Sequence, residues 1–441
     1  MEIKQSNLQF FSNKKVTSQK ILAPHTAMTL ARCREQSRVL ALNDTTEVDF
    51  TSHPKVKGAG YLHTHTTGFL MHSVLTASTT GVPLGVLSAE MWTRRHEDFG
   101  KAKDRKEKTV AEKESSRWLR AVEAASRIVA DGSATEVISI GDRENDIYEV
   151  FAAERARQVH LLIRLGQNRR ILAPSLSAGS QANGASDNSS EADSLTKTRI
   201  KEYAAALPLT GTMEVRVGHS NSQEERVVSV GVAYSTITIL PPGKTKGGVT
   251  VQLVVAREII APIAEASHLS PEQEDREPIE WILLTTLPIE SLEDAMTMVR
   301  YYALRWLIER FHYTLKSGCG IEKLQLETVQ RLQNAVATYL LIAWRLLWLT
   351  YTARTQPQSS CEIVLEPHEW QALHAVVCTG EDMPTEAPTL QQAVLWIARL
   401  GGFLARKRDG FPGVKVLWLG WSRLTDIVRT WLIAKEHFSP S

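Results

Sequence analysis

Tyr302, Arg305, Glu309 and Lys316 bring a phenol, a guanidinium, a carboxylate and an ammonium close together in sequence. Helical periodicity runs from Ser291 to Arg354. At about 100° per residue, one helix would hold all four polar groups on a stripe roughly 60° wide. Leu304, Ile308, Phe311 and Leu315 would form an apolar stripe opposite. Taken alone, such a face is more commonly an ion-pair surface, adding about 0.3–0.5 kcal/mol per pair.

Two aspartates elsewhere change that balance. Asp44 closes the apolar run VLALND and Asp142 closes EVISIGD, each a strand pattern that ends on an acid. Two carboxylates at strand ends repel unless protonated or bridged by a cation. With Glu309 as a third, they make a hard-oxygen set suited to Mg²⁺. Two such ions activate an attacking water or hydroxyl and stabilise the leaving oxygen of an in-line phosphoryl displacement. Arg305 and Lys316 beside Glu309 would clamp a phosphate backbone, the first as a planar fork and the second as a point charge.

Strand patterns must carry the two aspartates. VLALND, the alternating GYLHTHTTG (Gly60–Gly68) and PLGVLSAEMW (Pro83–Trp92) read as three strands of an antiparallel meander. An exposed charged loop, Arg94–Lys108, precedes an amphipathic helix over Glu112–Ala130. EVISIGD is then a buried strand, Asp146–Arg155 a helix N-capped by Asp146, and HLLIRL (His160–Leu165) the next strand. Ser175–Ser194 is rich in Ser, Ala, Gly and Asn and reads as a flexible excursion. TMEVRVGH, ERVVSVGVAYSTITIL and VTVQLVVARE are β-branched and alternating, which marks a β-rich insertion. The tail from Cys361 is mostly helical. The fold class is therefore α/β, a mixed sheet flanked by helices and interrupted by an inserted module.

Composition excludes several classes. At 441 residues the chain exceeds one ordinary core. The run Ala335–Leu349 is interrupted by Arg345 and reads as a buried helix rather than a membrane span. MEIKQSNLQFF lacks the apolar segment of a secretory signal. Cys33, Cys319, Cys361 and Cys378 show no zinc spacing and no disulfide framework. The net charge of +2 identifies no polyanion partner. Between Arg300 and Arg354, however, eight basic residues accompany three acids, which suits either a polyanion or a solvated helix face. His63 and His65 form an H-x-H without a third ligand nearby. Arg164, Asn168, Arg169 and Arg170 could be phosphate contacts or a solvated turn.

LNDTTEVDF around Asp44, IGDRENDIYEVF around Asp142 and the Tyr-Arg-Glu-Lys spacing from Tyr302 to Lys316 together resemble the DDE transposases of bacterial insertion sequences. The match is to the Tyr-Arg-Glu-Lys signature group, of insertion-sequence-four type and related to the Tn-five transposase. GYLHTHTT, PLGVLSAEMW, KESSRWL (Lys113–Leu119) and EWILLTTLPIES (Glu280–Ser291) occur in the expected order. TLQQAVLWIARLGGFLARKRDGFPGVKVLWLG is similar to that family's dimerisation region.

The resemblance implies an RNase-H-like core with Asp44, Asp142 and Glu309 as metal ligands for Mg²⁺, with Mn²⁺ as a substitute. The chain would divide into an N-terminal remnant (1–35), a first core segment (36–166) and a β-rich insertion (167–286) with a flexible stretch (174–196). A second core segment (287–355) would carry the glutamate helix, followed by a helical dimerisation region (356–441). Tyr302, Arg305 and Lys316 would hold terminal phosphates, and Trp281 and Trp306 would receive or brace a flipped base. The implied activity is nicking at transposon ends, hairpin formation and joining to target DNA, by a homodimer in a bacterial cytoplasm and without a membrane partner. Full-length relatives carry a helical DNA-recognition domain ahead of the segment matching LQFFSNKKVTSQKILAPH, and only nine residues precede Phe10 here. The alternative expectation is therefore a truncated chain that inhibits a full-length partner.

Overall fold

The computed structural model describes residues 9–95, 97, 113–176, 195–218, 225–243, 247–260, 278–406 and 408–438. Helix α1 (Ser18–Arg34) leads into strands β1 (Arg38–Asp49), β2 (Gly60–His63), β3 (Thr66–Ser78) and β4 (Pro83–Trp92). Then come α2 (Ser116–Ser126), β5 (Glu136–Gly141), α3 (Tyr148–Ala152) and β6 (Val159–Arg164). The next segment holds β7 (Arg170–Pro174), β8 (Leu195–Arg199), α4 (Ile200–Ala206), β9 (Gly211–Gly218) and β10 (Glu225–Ile239). It ends with β11 (Val249–Glu258) and β12 (Glu280–Thr285). Helices α5 (Leu292–Ala303), α6 (Trp306–Tyr313), α7 (Val329–Thr355), α8 (Pro367–Val377), α9 (Leu390–Leu400) and α10 (Val414–Phe438) follow. Most of Arg94–Lys108, and all of 177–194 within the Ser-rich stretch, lie outside the described residues.

The chain forms two compact units. One comprises Met1–Arg32, Thr45–Gly100 and Glu309–Ser441, the other Cys33–Asp44 and Lys101–Ile308. In the second unit the first half of β1 pairs in parallel with β5, and β5 in parallel with β6. From β6 the sheet turns antiparallel through β12, β11 and β10 to β7 and β8, with β9 also on β10. It is a mixed sheet. Strand β5 has burial on both faces, as a central parallel strand covered on both sides requires, which explains its unbroken run VISIG. Helix α2 lies over β5 and β6 and seats Trp118 at 1% exposure. The inserted strands make no separate sheet, because β12 returns to pair with β6 and extends the core sheet.

In the other unit β2, β3 and β4 form an antiparallel meander. The expected one began with VLALND, but Arg38–Leu42 pair in parallel with β5 instead, and β3 supplies the strand that the sequence reading did not separate. GYLHTHTTG is not one strand but a hairpin, turning at Thr64–His65 with His63 opposite Thr66. The hydroxyl of Thr66 accepts from the His63 N–H (3.0 Å), a local bond that alternation alone does not announce. Helix α7 is long and apolar enough to cross a membrane, yet 61% of its most apolar window is buried. It packs on β4, where Trp344 Nε1 donates to Pro83 O (3.1 Å). Asn334 on the same helix donates to the carbonyls of Phe11 and Val16.

Within this unit His25 of α1 is buried, and its Nε2 accepts from the Val86 N–H (3.0 Å). Burial first, and then the Arg32 charge, push its pKa down from 6.5 to about 4. The unfolded chain therefore binds this proton more readily, so stability falls as pH drops below about 6.5 and the loss is complete below about 4. Acidification from pH 7 to pH 4 should cost this unit about 3 kcal/mol through His25 alone. His25→Gln keeps an acceptor for Val86 but cannot charge. Urea midpoints at both pH values should show a smaller acid loss in that variant than in the wild type.

Candidate active site

Strand register sets the geometry. In the β1–β5 ladder the last partners are Leu42 and Ile140, and in the β5–β6 ladder Gly141 and Ile163. Asp44 and Asp142 each lie two residues past Leu42 and Ile140, and Arg164 lies one past Ile163. All three therefore reach one level, where the parallel pairing of three neighbouring strands ends. Their parity puts them on one side of the sheet, with strands about 4.8 Å apart. Strand β1 itself continues to Asp49, so Asp44 sits where pairing with β5 ends rather than where the strand ends. Two half-buried carboxylates so close repel, and a hard divalent cation is the partner that suits such oxygen donors.

Buried polar groups hold these ends. Asn43, fully buried, donates to Ser139 Oγ (3.1 Å) and accepts from Asn145 Nδ2 (3.4 Å). Asp142 closes the following 3₁₀ turn by accepting from the Glu144 N–H (2.9 Å). Asp146 does not cap α3. Its buried carboxylate accepts from the N–H groups of Gly166 (2.9 Å) and Gln167 (2.7 Å) and pairs with Arg169 (2.9 Å). A carboxylate can serve a loop distant in sequence as readily as a helix end, which is why the N-cap expectation failed. The turn after β5 is thereby tied to the turn after β6.

Tyr302 lies beside this row. It is only 4% exposed, with Trp281 of β12 edge-on at 5.1 Å. Arg164 hydrogen-bonds its side chain, and the Arg305 guanidinium stands 5.9 Å from its ring. Burial raises the phenol pKa above its ordinary value, the neighbouring arginines oppose that shift, and the nearby Asp142 charge adds to it. The group is thus a neutral donor. Arg164 also donates to Glu280 O (3.1 Å), and burial lowers its pKa below the ordinary guanidinium value. Sequence alone leaves Arg164 between a phosphate contact and a solvated turn; the structure sets it level with Asp142. The signal is present in HLLIRL, a cation ending a strand parallel to the aspartate strand. Arg169 is committed to Asp146, Arg170 bonds Gly243 O (3.4 Å), and Asn168 bonds Glu202 (3.1 Å).

The single helix expected through Tyr302–Lys316 is broken twice. Helix α5 ends at Ala303, and i→i−3 bonds at Arg305, Leu307 and Ile308 tighten the backbone into α6. Beyond α6 a π-turn spans Thr314–Gly318, closed by Cys319 N–H to Thr314 O (2.8 Å). Neither tightening nor loosening keeps the 100° step, so the four residues do not share one α-helical face. Tyr302 ends α5 and faces inward; Arg305 is in the turn; Glu309 is on α6; Lys316 is in the π-turn. Asp44, Asp142, Trp281, Tyr302, Arg305 and Trp306 belong to the second unit, Glu309 and Lys316 to the first. Lys316 pairs with Glu322 (3.2 Å), whose carboxylate also accepts from the Asp49 N–H (3.0 Å). Trp306 is half-buried against Gly218, where any Cβ would meet the indole.

Four of the eight basic residues over Arg300–Arg354 stand in ion pairs, Lys316 with Glu322 among them. Arg300 pairs with Glu293 (2.6 Å), Arg331 with Glu327 (2.7 Å) and Arg345 with Glu369 (3.3 Å). His63 pairs with Glu47 (3.1 Å) on an exposed edge.

Removing the Asp146 carboxylate would strand two N–H groups and a mostly buried guanidinium. Asp146→Ala should destabilise the second unit by about 3–5 kcal/mol, read by urea denaturation followed through tryptophan fluorescence. A change under about 0.5 kcal/mol would place the control of these turns elsewhere.

The chain matches the family model described as transposase DDE domain over residues 35–345. Residues 341–438 match the model described as transposase Tn5 dimerisation domain. Among solved structures it is similar to piggyBac transposase in a cryo-EM structure of a synaptic complex with hairpin DNA. That likeness is at 10% identity and a TM-score of 0.31, covering 93% of this chain and 66% of that one. The chain spans just under two thirds of that neighbour.

Proposed function

Since the chain belongs to the DDE transposases, we propose that it cuts DNA at transposon ends and joins them to target DNA. The observation that carries this reading is the level row Asp44, Asp142 and Arg164 with Tyr302 and Arg305 beside it. Asp44, Asp142 and Glu309 are the proposed metal ligands of an RNase-H-like core. When bound there, two Mg²⁺ ions, or Mn²⁺ in their place, supply a nucleophilic oxygen and neutralise the leaving one. Asp44 within β1 and Asp142 just past β5 sit on rigid elements and need little rearrangement to bind. Glu309 follows Arg305 by four residues, and α6 is the element that carries it.

The remaining side chains hold the DNA. Arg164 and Arg305 present planar forks to a phosphate, and Tyr302 donates its phenol proton to the same group. Trp281 braces Tyr302 from behind, while the half-buried Trp306 offers a face on which a displaced base can stack. Lys316 would exchange Glu322 for a phosphate oxygen on binding. The proposed route is nicking, attack of the freed 3′ hydroxyl on the opposite strand to close a hairpin, reopening and strand transfer. Two copies would act together, each on one end, through the region 341–438, in a bacterial cytoplasm on nucleoid DNA.

The test is incubation with Mg²⁺ and plasmid DNA carrying the element's own ends. Wild-type protein should nick and join. Glu309→Gln and Asp142→Asn should lose at least about a hundredfold in cleavage while retaining DNA binding. If wild-type and Asp142→Ala proteins were equally inert while both blocked a full-length transposase, the catalytic reading would be wrong. Binding should also weaken steeply with salt, and Arg164→Ala and Arg305→Ala should each flatten that slope by about one phosphate contact.

A further inference from the structure

A separate set of donors lies at the end of α8, within the region 341–438 and apart from the acidic row. His374 and Cys378 stand four residues apart, so they rise from the same face of the last helical turn. Cys378 closes that turn, its N–H donating to His374 O (2.8 Å). The chain then reverses through Gly380, whose φ of +90° suits glycine, and Glu381 N–H bonds back to Cys378 O (3.1 Å). The reversal brings the Glu381 carboxylate over the thiol and the imidazole. The ligand atoms of all three lie within 4.8 Å of one another. His374 is buried, Cys378 half-buried and Glu381 exposed, so the set opens to solvent on one side.

We propose that His374, Cys378 and Glu381 form a zinc site with water in the fourth position. The donor chemistry selects the metal: imidazole, thiolate and one carboxylate suit Zn²⁺, whereas Mg²⁺ takes oxygens almost exclusively. Zn–N of about 2.0–2.1 Å and Zn–S of about 2.3 Å put tetrahedral ligand atoms roughly 3.3–3.8 Å apart. The remaining closure falls to the exposed Glu381 side chain, which is the one able to move. Charge also balances, since one thiolate and one carboxylate neutralise the ion at a partly buried position. Binding transfers the Cys378 thiol proton to solvent, and no electron moves. His374 packs edge-on against Trp396 of α9 at 5.4 Å, so the ion would fix the ring on which that helix rests.

Cobalt titration of the full chain tests this. Cys33, Cys319 and Cys361 are buried, so a thiolate-to-cobalt charge-transfer band reports Cys378. One equivalent of Co²⁺ should produce a tetrahedral spectrum with that band, and one equivalent of Zn²⁺ should erase it. Cys378→Ser should lose the band, and Glu381→Gln should weaken binding by more than about tenfold. Both positions reach solvent, and circular dichroism checks that each variant keeps its fold. Asp142→Ala should retain the band, which separates this ion from those proposed at the acidic row. No band at stoichiometric cobalt, or a band that persists in Cys378→Ser, overturns the site.

Discussion

Two like charges forced to one level on adjacent strands are the constraint around which the second unit is organised. Parallel pairing of β1 with β5 puts Asp44 and Asp142 side by side, an arrangement that opposes folding unless the surroundings enforce it. The enforcement is polar and buried. Asn43, Ser139 and Asn145 lock the backbone beneath the acids, and the Asp146 carboxylate clamps the two turns that leave β5 and β6. The Asp146 carboxylate serves two N–H groups and a guanidinium at once, so its loss would leave all three without that partner.

The same register that creates the repulsion also supplies its counterweight. Arg164 ends β6 level with Asp142, and it meets the phenol of Tyr302 rather than an acid side chain. A guanidinium that meets a neutral phenol is not neutralised by that contact. That is a different use of arginine from the pairs at Arg300, Arg331 and Arg345, which neutralise carboxylates on their own surfaces. Arg164 instead stands with the Tyr302 phenol, level with Asp142.

Much of this was legible in sequence, and the features that were not share a cause. VLALND, PLGVLSAEMW, EVISIGD and HLLIRL correspond to β1, β4, β5 and β6, because each strand is decided by local apolar character. The mixed sheet followed from their order with the helices. Three features depended on contacts distant in sequence and escaped local patterns: Asp146 reaching Gly166, β12 pairing with β6, and Arg164 reaching Tyr302. The hairpin inside GYLHTHTTG hid because a Thr–His alternation reads as a strand wherever it turns. Tyr302, Arg305, Glu309 and Lys316 were found by type and spacing, although the uniform helix used to align them does not exist.

A uniform helix would fix the angles between its polar groups and leave no means of adjusting one without the others. A tightened 3₁₀ link before α6 and a π-turn after it break the stretch into separately held pieces. Tyr302 is locked by Trp281 and Arg164, Lys316 by Glu322, and Trp306 by the bare backbone of Gly218. Each side chain therefore takes its direction from its own neighbours in the fold. Spacing in the sequence is then a record of which elements carry the groups, while orientation is decided by the packing of each element.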